Sequence, residues 1–80
     1  MTVTALLFAS YADALGTPSV SLSLASGATV RDAVAQLRAM PGGGALPESP
    51  VVALNLAYTK SDAALAHGDE LAVIPPVAGG

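Results

Sequence analysis

Pro18-Ser19-Val20-Ser21-Leu22-Ser23-Leu24-Ala25-Ser26-Gly27-Ala28-Thr29-Val30-Arg31-Asp32-Ala33-Val34-Ala35-Gln36-Leu37-Arg38-Ala39-Met40-Pro41 changes its apolar period once, and that change decides the fold. Between Ser19 and Leu24, serines alternate with Val20, Leu22 and Leu24, which is the period of a strand with one face in water. From Val30 onward the apolar residues are Val30, Ala33, Val34, Leu37 and Met40, the spacing of one helical face. Arg31, Asp32, Gln36 and Arg38 fall mostly on the other side. Thr29 is a suitable N-cap, and Pro41 stops the helix. The triple glycine Gly42-Gly43-Gly44 then reads as a flexible loop; it follows a helix and lacks the Gly-Lys-Ser/Thr of a phosphate-binding loop.

Upstream, Thr2 to Phe8 reads as a first strand, with Val3, Ala5 and Leu7 on one face and Thr2, Thr4, Leu6 and Phe8 on the other. Ser10 to Leu15 makes a short helical turn closed by Gly16. Downstream, Val51 to Leu56 reads as a third strand and Ala66-His67-Gly68-Asp69 as a turn. Glu70 to Ile74 is the last strand, ended by Pro75-Pro76, which cannot donate to a ladder. The fold class is therefore α+β: a β-grasp, with a mixed sheet of four to five strands crossed by one main helix. The expected core is Val3, Ala5, Leu7, Val20, Leu22, Leu24, Val30, Val34, Leu37, Leu54, Leu71 and Val73. Residues 1–76 are expected to form the domain and 77–80 a flexible C-terminal tail.

Eighty residues make one small domain, able to bury roughly 60% of its unfolded surface. Hydrophobic residues make up 52% of the chain, enough for one core. The absence of cysteine removes disulfides, thiolate metal sites and persulfide chemistry together. A net charge of −3, with only Arg31, Arg38 and Lys60 basic, argues against nucleic acid. No apolar run is long enough to span a bilayer, so no membrane role and a cytoplasmic location are expected.

Side-chain catalysis has little to work with. His67 is the single histidine and reads as a surface-turn residue, with no nucleophile to activate. Asp69 reads as completing the turn and Glu70 as opening the strand, and no metal-ligand cluster is visible. The terminus differs. Gly79-Gly80 is sterically bare, so a narrow channel can admit its backbone. A carboxylate there is inert until converted to a mixed anhydride such as an acyl adenylate, after which it can take up sulfur or an amine.

The block Gly68-Asp69-Glu70-Leu71-Ala72-Val73-Ile74-Pro75-Pro76-Val77-Ala78-Gly79-Gly80 closely resembles the end of the small subunit of molybdopterin synthase, the MoaD-type sulfur carriers of the ubiquitin-like MoaD/ThiS family. Leu6-Leu7-Phe8-Ala9, Gly16, Val30-Arg31-Asp32 and Asn55 resemble it too. The chain departs from the pattern at Ser10-Tyr11-Ala12-Asp13, where many relatives carry a basic-acidic pair.

The resemblance implies that Gly80, with Gly79 before it, is adenylated by a ubiquitin-activating-like adenylyltransferase using ATP and magnesium. A sulfur donor protein then makes the thiocarboxylate, and the large synthase subunit passes its sulfur to a cyclic pterin precursor of the molybdenum cofactor. No cofactor of its own is expected, and the assembly implied is a heterotetramer. Phe8 and Ile74, on the strand faces opposite Leu7 and Val73, are expected to lie outside the core and to meet the partner. Tyr58 joins them by the resemblance, and Pro75, Pro76, Val77 and Ala78 lead the tail in. A sulfur carrier for thiamine, cysteine or tRNA thiolation, or a ubiquitin-like protein modifier, would use the same tail.

Overall fold

The computed structural model describes residues 1–76. In chain order it comprises β1 (Thr2–Leu7), α1 (Ala9–Leu15), β2 (Ser19–Ser23), α2 (Val30–Arg38), a 3-10 turn (Gly43–Ala45), β3 (Val51–Leu54), β4 (Ala57–Thr59) and β5 (Glu70–Ile74). The five strands form one sheet in the order β2-β1-β5-β3-β4. β1 and β2 pair antiparallel, with Val3 opposite Leu22. β5 enters beside β1 in parallel, with Leu7 opposite Val73, because α2 and the β3–β4 hairpin carry the chain back across the sheet. β3 lies antiparallel to β5, Val51 opposite Ile74, and β4 closes the edge. The topology is the β-grasp expected from the sequence.

α2 forms where the period changes. Asp32 Oδ2 accepts from the Thr29 N–H at 2.8 Å, occupying a donor at the helix start. Loop carbonyls take two more free donors there: Val30 N–H donates to Ala63 O and Arg31 N–H to Ser61 O. Val30, Ala33, Val34 and Leu37 are buried against Val3, Ala5, Leu7, Leu22, Leu71 and Val73.

The core departs from the sequence reading at its margins. Val20, Leu24 and Leu54 are only half-buried, because the first two belong to the edge at β2 and the third adjoins the β3–β4 turn. Tyr11, Leu46, Val52 and Leu65 complete the interior instead. β1 stops at Leu7, and Phe8 becomes the N-cap residue of α1, a two-turn helix that buries Tyr11 and ends at Gly16 in the left-handed conformation. The strand expected through Leu56 is a hairpin: Asn55 (φ 50°) and Leu56 (φ 73°) form its two-residue turn.

The triple glycine is a packed element rather than an open loop. Gly43 is buried in the 3-10 turn. A Cβ on Gly42 would overlap the carbonyl oxygen of Ala14, and one on Gly43 would overlap that of Leu37. The two glycines let the backbone pass between α1 and the end of α2.

Candidate functional site

β5 lies between β1 and β3, so its C-terminal end leaves the middle of the sheet rather than an edge. Ile74 is its last residue. Pro75, half-buried, and Pro76, exposed, carry no N–H and so donate no ladder hydrogen bond to β1 or β3. Val77, Ala78, Gly79 and Gly80, the expected tail and reacting group, lie outside the described residues.

Around this exit the sheet face away from α2 is apolar. The register places Leu6, Ala72, Ala53 and Tyr58 in one row across β1, β5, β3 and β4. The next row toward the exit holds Ile74 and Val51, with Phe8 one residue beyond Leu7, which pairs with Val73. Phe8 is 46% exposed, Val51 53% and Tyr58 77%, while Leu6, Ala53, Ala72 and Ile74 are half-buried. Phe8, Ile74 and Tyr58 thus lie outside the core on one surface, as expected. Val51, Leu6, Ala53 and Ala72 join them; alternation along β3 from Leu54, which was expected in the core, is the signal that could have placed Val51 and Ala53 on the outer face. An apolar patch of this kind has the composition of an interface core.

The opposite end of β5 is braced by polar side chains. Asn55 Nδ2 donates to Asp69 Oδ1 at 3.0 Å, and Asn55 Oδ1 accepts from Glu70 N–H at 3.0 Å. Asp69 Oδ2 accepts from Ala66 N–H at 2.7 Å. These bonds, the one from Asn55 first, hold the Asp69 carboxyl below its ordinary value of 3.8. His67 is exposed, and its Nδ1 accepts from Thr2 N–H at 2.9 Å, linking the turn to β1. His67 and Asp69 therefore shape the turn and Glu70 opens β5, as the sequence reading has it, at the end of β5 remote from Ile74.

Among the described residues no group of three or more His, Cys, Asp or Glu is placed to hold a metal ion, and no helix is long and apolar enough to cross a membrane. The shallow depressions are lined by mixed side chains. One of them, about 470 Å³, runs along Ser23–Ala28 to Asp32 and Gln36, on the far side of the sheet from the patch.

A β-grasp domain whose last strand ends in the middle of the sheet beside an apolar face has the architecture of the ubiquitin-like carriers. The family model described as the ThiS family matches residues 5–80, and the chain belongs to that family. Its sequence is 38% identical over 76 residues to the molybdopterin synthase sulfur carrier subunit of Arabidopsis thaliana, spanning 94% of this chain and 79% of that one. The protein of the same name from Chlamydomonas reinhardtii is 35% identical over 83 residues, with both chains fully covered. Among solved structures, SAMP1 from Haloferax volcanii superposes with a TM-score of 0.86 at 31% identity over the whole of both chains.

Proposed function

We propose that this chain is the sulfur carrier subunit of a molybdopterin synthase, and that its working group is the Gly80 carboxyl. The observation that carries the reading is the end of β5. β5 ends in the middle of the sheet at Ile74, followed by two prolines, beside a surface on which Phe8, Val51, Tyr58 and Ile74 lie. The names of the two plant and algal relatives support the same role.

The chemistry follows from what a carboxylate lacks. Its two equivalent oxygens are poor leaving groups, so an adenylyltransferase partner transfers AMP from ATP, with magnesium, to make an acyl adenylate. A sulfur donor then displaces AMP, leaving a thiocarboxylate. Held by the apolar patch, the large synthase subunit receives Pro75 to Gly80 in a channel too narrow for side chains, and the sulfur passes to a cyclic pterin phosphate. Two carriers serve two large subunits in a heterotetramer. The chain supplies the acyl group and the docking surface; ATP and magnesium belong to the partner.

A second reading rests on the likeness to SAMP1, a small archaeal modifier protein: the activated terminus would be passed to an amine and form an amide. The experiment that separates them loads the chain with sulfur and adds the large subunit and the cyclic pterin. Formation of the dithiolene product supports the carrier role. Covalent conjugates in a cell lysate, with no transfer to the pterin, would favour the modifier.

A further inference from the structure

The β3–β4 hairpin turns through two residues with positive φ, and only one of them has a reason within the domain. Asn55 (φ 50°) bonds Asp69 and the Glu70 N–H through its side chain, and its own N–H donates to Glu70 O at 2.9 Å. Leu56 (φ 73°) has no side-chain polar group to bond and no cover: it is 95% exposed, the most exposed of the four large apolar side chains in solvent among the described residues. The left-handed region disfavours leucine, whereas glycine or asparagine enters it readily. An exposed apolar side chain on strained backbone, at a tip braced against β5, has the marks of an interface residue.

The tip is continuous with the outer apolar patch. Leu56 leads into Ala57 and Tyr58, both exposed on the edge strand β4, and Tyr58 shares its row with Ala53, Ala72 and Leu6. Yet it stands at the other end of the sheet from Ile74. Leu54 lies opposite Leu71 and Val51 opposite Ile74, so the ends of β3 are three residues, roughly 10 Å, apart. A standard interface covers roughly 800 Å² of each partner, a disc about 30 Å across, which is wide enough to reach both ends. We propose that Leu56 is a second anchor for the large synthase subunit, one that the activating enzyme does not use, which rests on the carrier reading above. A subunit of a lasting assembly covers more surface than an enzyme that must release the chain after each cycle. The bonds from Asn55 present the leucine already ordered, so binding loses little backbone freedom at the tip. Leu56 is thus a residue that distinguishes one partner from the other.

The test uses the full chain with Leu56→Asn and Leu56→Met. Asparagine tolerates the left-handed turn and removes the apolar surface, while methionine keeps it. Each chain is titrated with the large subunit by calorimetry, its thiocarboxylation by the activating enzyme and sulfur donor is timed, and its urea midpoint is measured. Leu56→Asn should weaken binding to the large subunit at least about fivefold, the loss that marks an energetically important contact, and Leu56→Met should bind like the wild type. The thiocarboxylation rate should be that of the wild type in both, and neither urea midpoint should fall. A smaller loss of affinity in Leu56→Asn, an equal loss in Leu56→Met, a slower thiocarboxylation, or a lowered urea midpoint in Leu56→Asn would each overturn the assignment. A wild-type chain that does not bind the large subunit at all would instead overturn the carrier reading on which it rests.

Discussion

Asn55 and Asp69 clamp the two ends of a hairpin and a strand together: the Asn55 amide donates to Asp69 Oδ1 at 3.0 Å, while its own oxygen accepts from the N–H of Glu70. The clamp fixes where β5 starts, and the register of β5 fixes where it ends, at Ile74. Asn55 and the Gly68-Asp69-Glu70 block thus fix the geometry at one end of β5, opposite the end where the proposed chemistry lies.

This clamp makes stability depend on pH. Hydrogen bonds to the ionised Asp69 lower its folded pKa below the ordinary 3.8. The contribution is complete above the unfolded value and is lost as pH falls through the folded one. The urea midpoint of Asn55→Ala should therefore lie below that of the wild type by a constant interval above about pH 4.5. The interval should shrink at lower pH. An interval unchanged down to pH 2 would show that the Asp69 charge is not part of the clamp.

Leu37, fully buried on α2, is the centre of the helix-on-sheet contact. Leu37→Ala should cost about 2–5 kcal/mol in denaturant unfolding, a large share of the 5–15 kcal/mol typical of a domain. A loss below about 1 kcal/mol would mean that the helix packs differently.

The glycines offer an internal control. Gly43→Ala places a Cβ against the Leu37 carbonyl and should cost about 1–3 kcal/mol or more. Gly44→Ala meets nothing within 4 Å and should stay within about 0.5 kcal/mol. Equal effects at the two sites would contradict the close passage of this segment between α1 and α2.

These glycines also show what the sequence could not convey. The alternation of Ser19–Leu24 and the spacing of Val30–Leu37 made β2 and α2 legible, because burial on one face leaves a period. Gly42-Gly43-Gly44 leaves none: a close approach of two backbones and an open loop both require glycine. The hairpin turn was hidden for a related reason. Asn55 suits a left-handed turn, but Leu56 does not, and its φ of 73° carries a cost of about 1–2 kcal/mol that composition argues against. Tyr11 was unreadable because α1 is only seven residues long, too short for its buried side to show a period. Of the candidate site, Phe8, Tyr58 and Ile74 followed from face alternation and resemblance, whereas Leu6, Ala53 and Ala72 needed the register to bring them together.

Phe8→Asp tests the docking patch without disturbing the fold. Phe8 is nearly half exposed and occupies the N-cap of α1, a position that aspartate favours. The melting temperature should change by no more than a few degrees, while affinity for the large subunit falls at least about tenfold, the effect expected of a central aromatic anchor. Unchanged affinity would remove the patch from the interface.

The proposed function depends on the Gly80 carboxyl being the reacting group. Deleting Gly80 shortens the reach of the tail by one residue, roughly 3.5 Å. Reacting atoms must meet at about 3–3.5 Å, so a shift of that size should cost orders of magnitude in rate. Adding one residue after Gly80 should be as damaging, because it moves the carboxylate and introduces bulk. The measurement is the intact mass of each chain after incubation with the activating enzyme, ATP and a sulfur donor. The wild type should show one oxygen replaced by sulfur at its C-terminus, and the shortened and lengthened chains should not. Full thiocarboxylation of the chain ending at Gly79 would contradict the account.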